Sequence, residues 1–110
     1  MNGVEIQNAS KEIVPNLAKL FCEWRVVCDE FFSHPPGSRD LPLLPSKDLL
    51  AELVATSDNV QYTLKQEARR WHPNRAFFHQ MEAAGRLGTV SAATEMFQAI
   101  QNIRDEMGVV

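Results

Sequence analysis

Arg69-Arg70-Trp71-His72-Pro73-Asn74-Arg75 is a basic helix end that runs into a His-Pro-Asn turn. Proline disfavours helical geometry at the residue before it, so a helix reaching Trp71 ends there. Upstream of the turn, Val60, Leu64, Ala68 and Trp71 recur at three- and four-residue steps. Downstream, Ala93, Met96, Phe97, Ile100, Ile103 and Met107 do the same. Each set lies on one face of an α-helix, so the turn joins two amphipathic helical segments. Lys65 and Arg69, four residues apart, share another face of the first of them.

Working outward, Thr56-Ser57-Asp58-Asn59 supplies capping residues for the helix that ends at Trp71. A shorter helix precedes it, with Ser46 as its cap, Asp48 in its first turn and Leu49, Leu50, Leu53 and Val54 as its buried face. Between Arg75 and Met81 there is room for another short helix carrying Phe77 and Phe78, broken by Gly85 and Gly88. Ser91 is the expected cap of the last helix and Gly108 its terminator. The first periodic segment spans Ser10 to Phe32, with Ile13, Val14, Leu17, Leu20, Phe21, Trp24, Cys28 and Phe31 on one face. Ser10 can cap it, or the helix begins nearer Pro15. Four of the six prolines then fall between Ser33 and Ser46, an irregular connector whose Leu41, Leu43 and Leu44 are expected to pin it to the core. No segment alternates with a period of two. The expected fold is all-α, a small helical bundle over 47–110, with an N-terminal helix and Pro-rich connector (1–46) packed on it.

Composition agrees with a folded domain. The 110 residues are 45% hydrophobic and 23% charged, enough to bury a core without metal or disulfide support. A net charge of −3 argues against bulk affinity for nucleic acid or anionic membrane. Cys22 and Cys28 diverge by about 120° on a helix and are poorly placed to bridge one another, so both read as reduced core thiols. The start, Met1-Asn2-Gly3-Val4-Glu5, has neither the basic nor the apolar part of a signal peptide. The expectation is a cytoplasmic or nuclear protein.

The order of helices, the basic helix before the turn and Arg-Trp-His-Pro followed by Arg resemble a J-domain, the DnaJ-type co-chaperone module. The match covers about Lys47 to Met107. The long interval from Arg75 to Thr89 is similar to that in the J-like segment of NF-kappa-B-inhibitor-like proteins. The resemblance implies two antiparallel helices joined by a loop that carries His-Pro-Asp, with Asn74 standing here where the family has aspartate. It further implies that Lys65, Arg69 and Arg70 dock an acidic surface of a seventy-kilodalton heat-shock chaperone, with His72, Pro73, Asn74 and Arg75 at the contact. An amide keeps the shape of aspartate without its charge, and charge-assisted hydrogen bonds are about twice as strong as neutral ones. Docking with weak or no stimulation of ATP hydrolysis is the expectation.

These residues also have plainer roles open to them. Arg69 and Arg70 suit a helix C-terminus through the macrodipole, Asn74 suits a turn, His72 can cap the preceding helix, and Trp71, Trp24, Met96 and Phe97 suit a core. On that reading the chain is a helical protein–protein interaction scaffold with no chaperone role. Its N-terminal helix, bearing Phe21, Trp24 and Phe31, then either covers the bundle or offers an apolar surface. Nucleic-acid binding through Lys65, Arg69, Arg70 and Arg75 is a distant third. Cys22, Cys28, His34, His72 and His79 lack zinc-ligand spacing, and no catalytic or phosphate-binding motif is present. Neither enzymatic activity, nor a metal, nor a cofactor is expected.

Overall fold

A computed structural model of the chain describes residues 16–108. Within them the regular structure is all helical: α1 (Leu17–Ser33), α2 (Lys47–Val54), α3 (Val60–Arg70), α4 (Ala76–Ala83) and α5 (Thr89–Glu106). The expected helix start at Ser10 lies outside the described residues. Asn16 caps α1, its side chain accepting from the Lys19 amide at 3.1 Å. Ser46 caps α2 and Asn59 caps α3 in the same way, each satisfying an amide that the first turn leaves unpaired.

The cap of α5 departs from the sequence reading. Ser91 lies inside the first turn, and the helix starts after Gly88, whose φ of +85° is a conformation glycine reaches without strain. The acceptor comes from outside the helix, since Glu82 on α4 takes the Val90 amide at 3.0 Å. A carboxylate at a helix N-terminus also interacts favourably with the helix dipole, so α4 starts α5 three residues before the serine could.

α2 packs on α1, α3 and α5, while α3 and α4 both pack on α5. His72, just past the end of α3, meets Phe97 in the first half of α5, their rings 4.9 Å apart. Lys65, two turns back, lines the same groove as Arg104, two turns on. Parallel helices would place these two about 20 Å apart. α3 and α5 are therefore antiparallel.

The core is organised around Trp71, which is fully buried. Its ring lies nearly parallel to those of Trp24 on α1 and Phe78 on α4, and Phe32 meets it edge-on at 5.2 Å. Such offset and edge-to-face contacts add about 0.5–1.5 kcal/mol each beyond area burial. Leu50, Leu53, Val54, Leu64, Ala93, Met96, Ile100 and Ile103 complete this core. Three residues assigned to buried faces are exposed, Leu20, Leu49 and Met107, the last of which follows the end of α5; Phe97 is half-buried and packs against the core. Of the two cysteines only Cys28 is in the core, where burial pushes its thiol up to about 12. Cys22 follows Phe21 by one residue, about 100° around the helix, and faces solvent.

The connector is fastened more by its backbone than by its leucines. Trp24 donates its indole N–H to the Leu43 carbonyl at 2.7 Å, while the Leu43 side chain is 88% exposed. Leu41 and Leu44 do pack against the core. Arg86 pairs with Asp40 and donates to the Gly37 carbonyl, drawing the connector onto the α4–α5 turn. A Cβ at Gly37 would lie 2.8 Å from that of Ala84, so the close approach needs glycine.

Among the described residues, one charged side chain is fully buried. Glu67 on α3 accepts the Trp71 indole N–H at 3.2 Å and lies 3.2 Å from Arg25 Nε and 3.8 Å from Arg70 Nε. The contact with Arg25 Nε is charge to charge without hydrogen-bond alignment. Burial raises the Glu67 carboxyl above its ordinary value of 4.5, against the opposing pull of Arg70 and Arg25. A carboxyl that holds its proton more tightly folded than unfolded contributes stability that is full below the unfolded value. That contribution is lost as pH rises through the folded value. Glu67→Gln keeps an acceptor for Trp71 and does not ionise. Urea midpoints should move in favour of the glutamine variant, relative to the unsubstituted chain, between about pH 4 and about pH 7. A difference that stays flat or moves the other way would mean that the two arginines outweigh burial.

Candidate docking site

The cations read from the sequence divide into two groups, those held against α1 and those left exposed, with Arg69 between them. Arg70 and Arg75 turn toward α1. The Arg70 side chain, only 16% exposed, reaches Asp29 at 2.7 Å and lies over the Phe32 ring. Arg75 lies 4.8 Å above the same ring and donates to the Arg70 carbonyl at 2.9 Å. That bond satisfies one of the carbonyls left open at the end of α3. Burial, reinforced by the neighbouring Arg70, lowers the Arg75 guanidinium from its usual value. Both arginines are thus built into the seam between α1 and the α3–α4 turn.

Lys65 and Arg69 are exposed, and among the described residues neither pairs with a carboxylate. With His72 they form one wall of an open groove whose other wall is Phe97, Gln101 and Arg104 of α5. Arg104 likewise has no carboxylate partner among the described residues and donates to Gln101 at 3.1 Å. The groove lining contains three basic side chains and no acidic one. Its floor includes Ala68, whose small side chain lets the groove run between the helices.

The tripeptide turns at the end of this groove. His72 does not cap α3 with its ring; Nδ1 accepts the Asn74 amide at 3.1 Å, and the Arg75 amide donates to the His72 carbonyl. An accepting Nδ1 places the ring proton of neutral His72 on Nε2, leaving a donor. Pro73 is half-buried and Asn74 is exposed. The Asn74 backbone has no positive φ, and its side-chain amide makes no hydrogen bond among the described residues. Lys65, Arg69 and His72 therefore come together, Pro73 and Asn74 adjoin them, and Arg70 and Arg75 are held against α1.

Sequence reasoning did not include the α5 wall. Phe97, Gln101 and Arg104 are spaced i, i+4, i+7, which places them on one helical face. Phe97 was absorbed into the apolar stripe, and Arg104 stood in a last turn where any cation is at ease. Only the antiparallel placement against α3 gives that face a partner. Among the described residues, no group of three or more His, Cys, Asp or Glu side chains is placed to hold a metal ion. No helix among them is long and apolar enough to cross a membrane.

This division has a measurable consequence. Arg70→Ala removes the Asp29 pair and the cover over Phe32, and should cost about 1–3 kcal/mol. Arg69→Ala should stay within about 0.5 kcal/mol. Chemical denaturation followed by tryptophan fluorescence reads both. Equal costs would mean that the two arginines share one structural role.

No family model matches the chain, and neither a curated protein nor a solved structure matches it.

Proposed function

We propose that this protein is a degenerate J-domain-like module that docks a seventy-kilodalton heat-shock chaperone and stimulates its ATP hydrolysis weakly or not at all. The observation that carries this reading is the exposed pair Lys65 and Arg69, without a carboxylate partner among the described residues, one turn apart on α3 and directly before the His72-Pro73-Asn74 turn. Unpaired cations on a rigid helix favour an acidic partner and raise the rate of encounter more than the final affinity. Arg70 and Arg75 hold the turn against α1, so the docking cations are Lys65 and Arg69. Asn74 presents a neutral amide where the J-domain resemblance calls for a carboxylate, which is the basis for expecting little stimulation.

The scaffold reading has less to stand on. Phe21 and Phe31 are buried and Trp24 packs against Trp71, so α1 covers the bundle with its aromatic side. Its other side exposes Val26 and Val27, each more than half exposed. Valines on a helix surface are ordinary singly, and the pair gives a partner little to hold.

Titration into a purified heat-shock chaperone with ATP, following binding and hydrolysis together, separates the two readings. Docking should appear with little added hydrolysis, weaken at least about five-fold when Lys65 and Arg69 are both changed to Gln, and decline with added salt. Asn74→Asp should increase hydrolysis without a matching gain in binding. Absence of binding by the unsubstituted chain would remove the chaperone reading and leave the scaffold.

A further inference from the structure

We infer that the groove between α3 and α5 is a binding site for an acidic peptide segment, held from both walls instead of against α3 alone. The inference rests on the docking reading for the position of the site and adds to it a second wall and the chemistry of the ligand.

Lys65, Arg69 and Arg104 line one groove in a chain of net charge −3, and among the described residues no carboxylate joins them there. Elsewhere among the described residues, Arg25 and Arg70 pair with Glu67, Lys47 with Glu106 and Arg86 with Asp40, while Lys19, Arg39 and Arg75 stand apart from one another without a carboxylate. Three like charges on facing helices repel one another, and this lining supplies nothing that offsets the repulsion. A segment carrying carboxylates removes it, because each guanidinium offers paired N–H donors that suit a carboxylate. Gln101 holds the Arg104 guanidinium at 3.1 Å, which limits the freedom lost on binding.

The end of the groove adds a second requirement. His72 and Phe97 meet there with rings 4.9 Å apart, and both are only half-buried. Together they offer an apolar surface with one remaining imidazole N–H. A bound segment therefore has at least two carboxylates with an apolar side chain beside them. From Lys65 to His72 the α3 wall is about 10 Å long, which three or four extended residues would span. Binding by α3 alone requires only Lys65 and Arg69. Binding in the groove requires Arg104 as well, although it is 39 positions from Lys65 in sequence.

The test uses the full chain and a fluorescein-labelled acidic peptide with Asp and Glu around a central Leu. One control peptide replaces the acids with Asn and Gln, and a second replaces Leu with Ser. Anisotropy should show salt-sensitive binding of the acidic peptide, loss with the neutral peptide and weaker binding with the Ser peptide. Arg104→Gln should weaken the acidic peptide about five-fold. Lys19→Gln, an equal charge change on exposed α1, should leave it unaltered. No peptide binding, or equal weakening by Arg104→Gln and Lys19→Gln, would overturn the groove. A parallel titration with the intact chaperone separates the two proposals. Peptide binding without chaperone binding removes the chaperone and keeps the groove. Chaperone binding untouched by Arg104→Gln, with no peptide binding, removes the groove and keeps docking on α3.

Discussion

The burial of Trp71 at the end of α3 is the constraint on which the other parts of this bundle depend. An indole is large, apolar and carries one N–H, so it can be fully buried only where that donor finds an acceptor. The acceptor is Glu67, one turn back on the same helix. Placing that acceptor brings a carboxylate into the core, and the carboxylate in turn draws Arg25 from α1 and Arg70 from α3. The polar consequence of burying one tryptophan thus ties α1 to α3. The apolar consequence ties α1 and α4 to the same point, since Trp24, Phe32 and Phe78 all pack on its ring.

That arrangement also decides which cations are left for a partner. A helix presents successive residues about 100° apart, so neighbouring Arg69 and Arg70 point in different directions. Because Glu67 and Trp71 face the core beside α1, Arg70 falls into the α1 seam. Arg69 falls with Lys65 on the side toward α5. Arg75, past the turn, is drawn back over Phe32 to close the end of α3. Four cations that look like one basic cluster in the sequence have different surroundings in space: two are held against α1 and two are exposed.

Much of the fold was legible because its signals are local. Ser46 and Asn59 cap where their chemistry suggests, and the stripes through Leu64 and Trp71, and through Ala93 and Ile100, form the core they promise. The misreadings came from long-range effects. Ser91 loses its capping role to Glu82, a residue on another helix, and Leu43 anchors the connector with its carbonyl instead of its side chain. The candidate site was half legible for the same reason. The α3 wall is a run of neighbours, whereas Arg104 gains meaning only when an antiparallel helix brings it beside Lys65.

The turn at 72–74 places the chemical question on a single side chain. Its geometry is set by backbone groups and by the His72 ring, which accepts the Asn74 amide hydrogen. The Asn74 side chain contributes no hydrogen bond among the described residues, and the backbone there is not in the left-handed region that favours asparagine. An aspartate would therefore fit the same turn with little effect on the fold. Its charge would act at the end of the groove, beside His72. Asparagine at this position changes what the turn offers a partner, while the turn keeps its shape.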